Sequence, residues 1–131
     1  MDVLIYSKLT ESRSLIKKSI AQLSESINIV SVDNISQALF TLAANSFDLI
    51  IIDVDQFEGG FKKLIIRAKN SSPDASILFL TLFNENEVEV KLLRDGIDYS
   101  FGKYFLFEEF IDTIKKVANR FLEDSYQYST I

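Results

Sequence analysis

Side chains that can do chemistry stand at the ends of the short apolar runs in this sequence. They are Ser7 and Lys8 after residues 3–6, Asp53 after 49–52, Thr81 near the end of 77–82, and Lys103 after 99–101. The chain has no Cys and no His, which excludes thiol nucleophiles, imidazole bases, Cys/His zinc sites and triads of the Ser-His-Asp type. Any chemistry at these places therefore depends on carboxylate, ammonium and hydroxyl groups.

The elements that must position these side chains alternate along the chain. Apolar runs occupy residues 3–6, 27–32, 49–52 and 77–82, with a weaker run at 99–101. Segments with apolar side chains at i, i+3, i+4 and i+7 lie between and after them, which is typical of amphipathic helices. Their apolar positions are Ile35, Ala38, Leu39, Leu42 and Ala43, then Phe61, Leu64, Ile65 and Ala68, and finally Phe107, Phe110, Ile111, Ile114, Val117, Ala118 and Phe121.

The alternation predicts an α/β fold with five strands and five helices. Residues 87–91 alternate like a strand, but their place before Gly96 in the pattern favours the fourth helix. Strands that are apolar on both faces form a parallel sheet covered by helices on both sides. In such doubly wound sheets ligands bind beyond the carboxyl ends of the strands, where Ser7, Asp53 and Lys103 are predicted to meet.

Length and charge narrow the range of functions. A chain of 131 residues fits one domain, which we place at residues 1–122, with 123–131 as a polar tail that is frayed or a linker remnant. The net charge of −5 argues against direct nucleic-acid binding, which needs clustered Lys and Arg. No apolar run approaches the roughly 20 residues of a membrane span and no signal peptide is evident, so we expect a cytoplasmic protein.

Three segments resemble the receiver domains of two-component response regulators. Residues 48–53 resemble the strand that ends in the phospho-accepting aspartate, 77–81 the strand that ends in the switch hydroxyl, and 96–105 the segment that holds the family's lysine. The resemblance runs from about residue 2 to residue 122. It implies a flavodoxin-like (βα)5 fold with strand order 2-1-3-4-5, and it assigns these three roles to Asp53, Thr81 and Lys103.

The sequence departs from this family at the metal site. Receiver domains place two adjacent acids after the first strand to hold Mg²⁺, and Ser7 and Lys8 stand there instead. An ammonium about 4 Å from a dication repels it by roughly 8 kcal/mol at an effective dielectric near 20, before screening by solvent and salt. We therefore expect no cofactor, with Mg²⁺ disfavoured, and we expect Lys8 to pair with Asp53 alongside Lys103.

The leading interpretation is an atypical receiver-like signalling module that is not an enzyme and acts by protein contact without phosphorylation. An alternative is an ordinary receiver, phosphorylated at Asp53 with Mg²⁺ aided by Asp55, and serving as the regulatory domain of a transcription factor. Glu11 or Asp2 would be further carboxylates for that metal. A small-molecule or cofactor binder is disfavoured because no glycine-rich phosphate loop follows the first strand.

The resemblance also suggests where a partner binds. Receiver-like domains dimerise or dock partners through the face made by the fourth helix, fifth strand and fifth helix. Tyr99 and Tyr104 are the candidate contact residues on that face, since exposed aromatic side chains are enriched at interfaces. The expected partner is another protein or a second copy of this chain.

Overall fold

The helices and strands alternate as the sequence pattern predicts. The computed structural model describes residues 1–54, 60–81, 96–102 and 107–129. The strands within these residues are β1 (Asp2–Ser7), β2 (Asn28–Val32), β3 (Leu49–Val54), β4 (Ser76–Thr81) and β5 (Tyr99–Gly102). The helices are α1 (Thr10–Ala21), α2 (Ile35–Ala44), α3 (Phe61–Ser71) and the C-terminal helix α4 (Phe107–Ser129). The predicted fourth helix lies outside the described residues, so α4 corresponds to the fifth predicted helix.

The strands form one parallel sheet in the order β2-β1-β3-β4-β5. This arrangement confirms the predicted doubly wound fold class and the strand order 2-1-3-4-5. Because all strands run in the same direction, the carboxyl ends of β1, β3, β4 and β5 lie at one edge of the sheet. The chain order reverses between β1 and β3, which is the place where such sheets bind ligands.

The sheet separates two hydrophobic cores. Alternate side chains of a strand point to opposite faces, so the strands contribute to both. On one face Leu4, Tyr6, Ile50, Ile52, Ile77 and Phe79 pack with α2 and α3. On the other face Val3, Ile5, Leu49, Ile51, Leu78 and Leu80 pack with α1 and α4. Burial on both faces explains why the central strands read as continuous apolar runs.

Helices α2 and α3 cover the first core. Asn34 caps α2, since its side-chain oxygen accepts a hydrogen bond of 2.8 Å from the backbone N–H of Gln37 and thereby satisfies one of the free donors of the first turn. On α3, Phe61 packs edge-on against Phe79 of β4, with ring centroids 5.8 Å apart. The apolar stripe predicted for α3 is confirmed as its buried face. On α2 the stripe is confirmed at Ala38 and Leu42, which are buried, and at the partly buried Ile35 and Leu39, but the prediction was wrong for Ala43, which is exposed.

The C-terminal helix covers the second core with the predicted stripe. Phe110, Ile114, Val117 and Ala118 are buried, and the helix continues to Ser129. It therefore extends beyond residue 122, where the sequence analysis ends the domain, and that boundary stays a prediction. Across the part of the chain that the structure describes, no helix is both long enough and apolar enough to cross a membrane.

Candidate functional site

The register of the sheet places Ser7 and Asp53 side by side. Strands β1 and β3 are neighbours, and Ser7 is the residue aligned with Asp53. Both follow the alternation that sends Ile5 and Ile51 into the core beneath α1 and α4. Both are buried, Ser7 completely and Asp53 with 4% of its surface exposed. A carboxyl group thus lies inside the protein at the carboxyl edge of the sheet.

A short hydrogen bond joins these two residues. The Ser7 hydroxyl donates to Oδ2 of Asp53 at 2.7 Å. The same hydroxyl is 3.3 Å from the carbonyl oxygen of Leu9, and because it has a single proton, the shorter contact to the carboxylate is the stronger one. Hydrogen bonds to an ionised acceptor are about twice as strong as neutral ones. The first strand therefore offers Asp53 a proton donor where the receiver family has an acid.

The side chain and the backbone of Arg13 hold the loop that follows β1. The guanidinium Nη1 of Arg13 on α1 donates to the carbonyl oxygen of Ser7 at 2.8 Å, and the backbone N–H of Arg13 donates to the carbonyl oxygen of Leu9. Lys8 lies between these anchored residues with its side chain exposed. Positive side chains thus flank the end of β1, and the predicted pairing of Lys8 with Asp53 stays a prediction.

An apolar wall lies on the other side of Asp53. Its aligned neighbour on β4 is Leu80, which is buried and is in turn aligned with Phe101 of β5. Phe101 packs edge-on against Phe110 of the C-terminal helix, with ring centroids 6.2 Å apart. The aligned residues across β1, β3, β4 and β5 are thus Ser7, Asp53, Leu80 and Phe101. Within this row Ser7 is the polar neighbour of Asp53 and Leu80 is its apolar neighbour.

Of the other predicted site residues, the structure describes Thr81 and Tyr99. Thr81 ends β4 one residue beyond the row, aligned with Val54 and Gly102. Lys103, Asp55 and Tyr104 lie outside the described residues, so their predicted roles are untested. Tyr99 on β5 is half-buried and packs against the second core.

The two further carboxylates considered for a metal are not equivalent. Asp2 begins β1, while Ser7 ends it, and at about 3.3 Å per residue the two are roughly 16 Å apart along the strand. The expectation that Asp2 approaches the site is therefore wrong, because it stands at the opposite edge of the sheet, where its side chain accepts a hydrogen bond from Asn28. Glu11 lies in the first turn of α1 and is exposed. Among the described residues, no three acidic or other metal-ligating side chains lie close enough together to hold a metal ion.

The Ser7 hydrogen bond is expected to contribute measurably to stability. Replacing Ser7 by alanine removes a donor from a buried carboxylate, and hydrogen bonds to charged groups contribute about 1.5–3 kcal/mol. We expect Ser7→Ala to lower the free energy of unfolding by that amount, as measured by urea denaturation. Ser14→Ala, at an exposed position on α1, is the matched control and should change it by less than about 0.5 kcal/mol. Equal effects of the two substitutions would contradict this role for Ser7.

Comparison with known proteins rests on three-dimensional structure. No protein-family model matches the chain, and no curated protein matches it. Solved structures do match. A two-component response regulator from Clostridium difficile superposes with a TM-score of 0.79 at 21% identity, covering 92% of this chain and 98% of its own. The chain has the receiver-domain fold.

Two further solved structures share this fold. The response regulator TrrA from Thermotoga maritima, solved in complex with Mg²⁺–BeF, superposes with a TM-score of 0.71 at 22% identity, covering 88% of this chain and 97% of its own. A pilus assembly-related protein from Burkholderia pseudomallei superposes with a TM-score of 0.72 at 15% identity, covering 91% of this chain and 90% of its own. The same fold thus occurs in proteins with different names, and the site residues must decide the function.

Proposed function

We propose that this chain is a cytoplasmic receiver-like signalling module that binds another protein, catalyses no reaction and does not need phosphorylation. The observation that carries the proposal is the hydrogen bond from the buried Ser7 hydroxyl to Asp53. It places a neutral donor on the carboxylate at the position where the family resemblance leads one to expect an acid. Asp53 is then stabilised by the protein itself.

Among the residues that the structure describes, those at the end of β1 do not favour Mg²⁺. This ion is usually held by one or two carboxylates with several retained waters, and the end of β1 provides a hydroxyl whose proton points at Asp53, followed by the cation Lys8. Arg13 adds a second cation bound to the carbonyl oxygen of Ser7, which leaves that oxygen less suited to bind a metal. The three residues together favour a negative partner and oppose a dication.

Poor metal binding matters because of the nature of phosphoryl transfer. The reaction offers a protein little covalent work, so catalysis depends on positioning and on neutralising the phosphoryl oxygens, usually with Mg²⁺. Without the ion, Asp53 is a buried carboxylate of a common type, and its hydrogen bond from Ser7 further reduces its nucleophilicity. The receiver fold then serves as a binding surface.

An ordinary phospho-accepting receiver is the second candidate. The observation that favours it is the position of Asp53 near the end of β3 in a receiver fold, since the resemblance assigns the phospho-acceptor to this residue. In that candidate Asp55 supplies the second carboxylate for Mg²⁺, and the chain is a regulatory domain, for example of a transcription factor. The two candidates differ in one measurable event, the phosphorylation of Asp53.

A mass measurement separates the candidates. We expect the protein, incubated with acetyl phosphate and millimolar Mg²⁺, to keep its unmodified mass in intact-protein mass spectrometry. The reason is that Ser7 and Lys8 supply no carboxylate to bind Mg²⁺, and that the hydrogen bond from Ser7 lowers the nucleophilicity of Asp53. The same incubation with a chelator, and with Asp53→Asn, gives the two baselines.

One outcome would establish the second candidate instead. It is the rapid gain of a single phosphoryl mass that disappears both in Asp53→Asn and in the presence of the chelator. A phosphoryl mass that persists in Asp53→Asn would mark a different acceptor and would leave Asp53 unmodified, as proposed.

The partner of the proposed module is a protein or a second copy of this chain. The resemblance places the contact on the face that includes β5 and the C-terminal helix, with Tyr99 and Tyr104 as candidates. Tyr99 is half-buried, so part of its ring remains accessible to a partner.

A further inference from the structure

Helix α3 is a basic element of an acidic protein. Helix α3 carries four basic side chains and no acidic one; the basic residues are Lys62, Lys63, Arg67 and Lys69. Its neighbour α2 carries no charged side chain, while the whole chain has a net charge of −5. The outer surface of these two helices is therefore basic, although the whole chain is acidic.

A groove runs between α2 and α3 on this basic surface. Its volume is about 420 Å³. Leu39 and Ala43 of α2 line one side, and Lys63, Ile66 and Arg67 of α3 line the other. Asn70 and Ser71 of α3 also line it. The groove therefore combines apolar side chains and polar groups with two cations that are one helical turn apart on the same wall.

Two large apolar side chains on these helices are exposed without a role in the core. Ile66 on the groove wall is 53% exposed, and Phe40 of α2, one turn before Ala43, is 77% exposed. The core contacts of the two helices are made by other residues, including Ala38 and Leu64. An exposed apolar surface bordered by charge is typical of a protein-binding site.

We propose that the α2–α3 groove binds an acidic amphipathic helix of a partner protein. Apolar side chains of such a helix, at i, i+3 or i+4, and i+7, would contact the groove lining and Phe40. Its carboxylates would pair with Lys63 and Arg67, where the planar guanidinium can bind a carboxylate through two hydrogen bonds. The proposal goes beyond the proposed function, because it adds a second binding surface on the opposite face of the sheet from the C-terminal helix, and it does not depend on the state of Asp53.

The dimensions and charges favour this occupant over others. The lining residues on α3 run from Lys63 to Ser71, which is about 12 Å at 1.5 Å per residue and matches about two turns of a partner helix. An anionic membrane is a flat surface that binds clusters of roughly 4–8 basic residues, whereas Lys63 and Arg67 are the two basic residues that line this groove. A concave groove that combines apolar side chains with two cations suits an acidic amphipathic helix better than a flat membrane surface.

Fluorescence anisotropy with a designed peptide tests the proposal. The probe is a fluorescein-labelled synthetic peptide of about 20 residues, which exceeds the length at which isolated helices are marginal in water, with Leu at every third or fourth position and Glu and Ala elsewhere. We expect saturable binding to the full chain that weakens with added salt. Lys63→Glu with Arg67→Glu should weaken it at least about tenfold, since each like-charge contact replaces an attraction, and Phe40→Ala should weaken it by a similar factor.

The control variant reverses charge elsewhere on the same protein. Lys17→Glu with Lys18→Glu alters two exposed residues of α1, and we expect it to bind the peptide within about twofold of the unaltered chain. All variants alter exposed side chains, and circular dichroism with thermal unfolding verifies that each is folded. A second peptide with Lys in place of Glu should not bind.

Several results would overturn the proposal. They are the absence of saturable binding, equal binding of the Glu and Lys peptides, and equal losses in the groove variant and the control variant. Sedimentation of the protein with phosphatidylglycerol vesicles, abolished by the groove variant, would show that the surface binds membranes instead. Phosphorylation of Asp53 together with peptide binding would remove the proposed function and leave the groove assignment intact, so the two can fail separately.

Discussion

Replacing Ser7 and Lys8 together by aspartate is expected to create a Mg²⁺-dependent protein. Without the ion, the double variant should be less stable than the unaltered chain, because it loses the Ser7 hydrogen bond and gains carboxylates beside Asp53. Two like charges about 4 Å apart repel by about 4 kcal/mol at an effective dielectric of 20, before salt reduces the figure. Mg²⁺ relieves this repulsion and binds only the folded state.

Thermal unfolding with and without Mg²⁺ measures the effect. A ligand present at 100 times its dissociation constant stabilises a protein by about 2.7 kcal/mol, which corresponds to a rise in Tm of several degrees for a domain of this size. The unaltered chain should show no comparable rise. The double variant should also gain a phosphoryl mass from acetyl phosphate, and that mass should be lost when Asp53→Asn is added.

A neutral double substitution separates metal binding from other effects. Ser7→Ala with Lys8→Ala removes the same hydrogen bond and the same ammonium but adds no carboxylate. Its Tm should not respond to Mg²⁺. If the unaltered chain gained as much stability from Mg²⁺ as the aspartate variant, the charge balance proposed for Asp53 would be untenable.

Phe79→Ala is expected to cause the largest loss of stability among single substitutions considered. Phe79 is 1% exposed in the core beneath α2 and α3, and its ring packs edge-on against Phe61. Truncating a buried Phe typically costs about 3–5 kcal/mol, and a whole domain has only about 5–15 kcal/mol. Urea unfolding followed by circular dichroism should show a midpoint shifted strongly downward.

The same substitution at the surface is the matched control. Phe40 is 77% exposed, so Phe40→Ala should change the free energy of unfolding by less than about 0.5 kcal/mol. Phe79→Leu keeps much of the volume and should fall between the two alanine variants, which preserves the comparison if Phe79→Ala fails to fold. Equal stabilities of the variants at positions 79 and 40 would contradict the observed burial.

The fold could be predicted from the sequence because its signals are strong and local. Helices such as 61–68 have an unbroken apolar stripe. Strands such as residues 49–52 are short apolar runs rich in β-branched Ile, and this length and composition favour a strand over a buried helix. The C-terminal helix extends beyond the prediction, because helical backbone needs no apolar stripe once its earlier turns are packed. Residues 87–91, where strand-like alternation and helical context disagree, lie outside the described residues.

The site could be predicted only in part, because its main contact depends on register. The sequence indicates that Asp53 ends a strand, and the structure confirms its position near that end. The contact of Ser7 with Asp53 required knowledge that β1 and β3 are neighbours with these residues aligned. The only signal was parity: Val3, Ile5 and Ser7 alternate onto one face, while Lys8 follows the strand and is exposed. The sequence analysis therefore did not foresee the hydrogen bond from Ser7 to Asp53, and the pairing of Lys8 with Asp53 stays a prediction.

The division of the interior by the sheet has a consequence for how this protein can evolve. Ser7 and Asp53 lie on the face covered by α1 and the C-terminal helix, while the α2–α3 groove lies above the opposite face. Substitutions that share no neighbours usually have additive effects on stability. Substitutions in the groove and substitutions at Ser7 or Asp53 are therefore expected to act independently. The two regions can diverge in sequence without affecting each other.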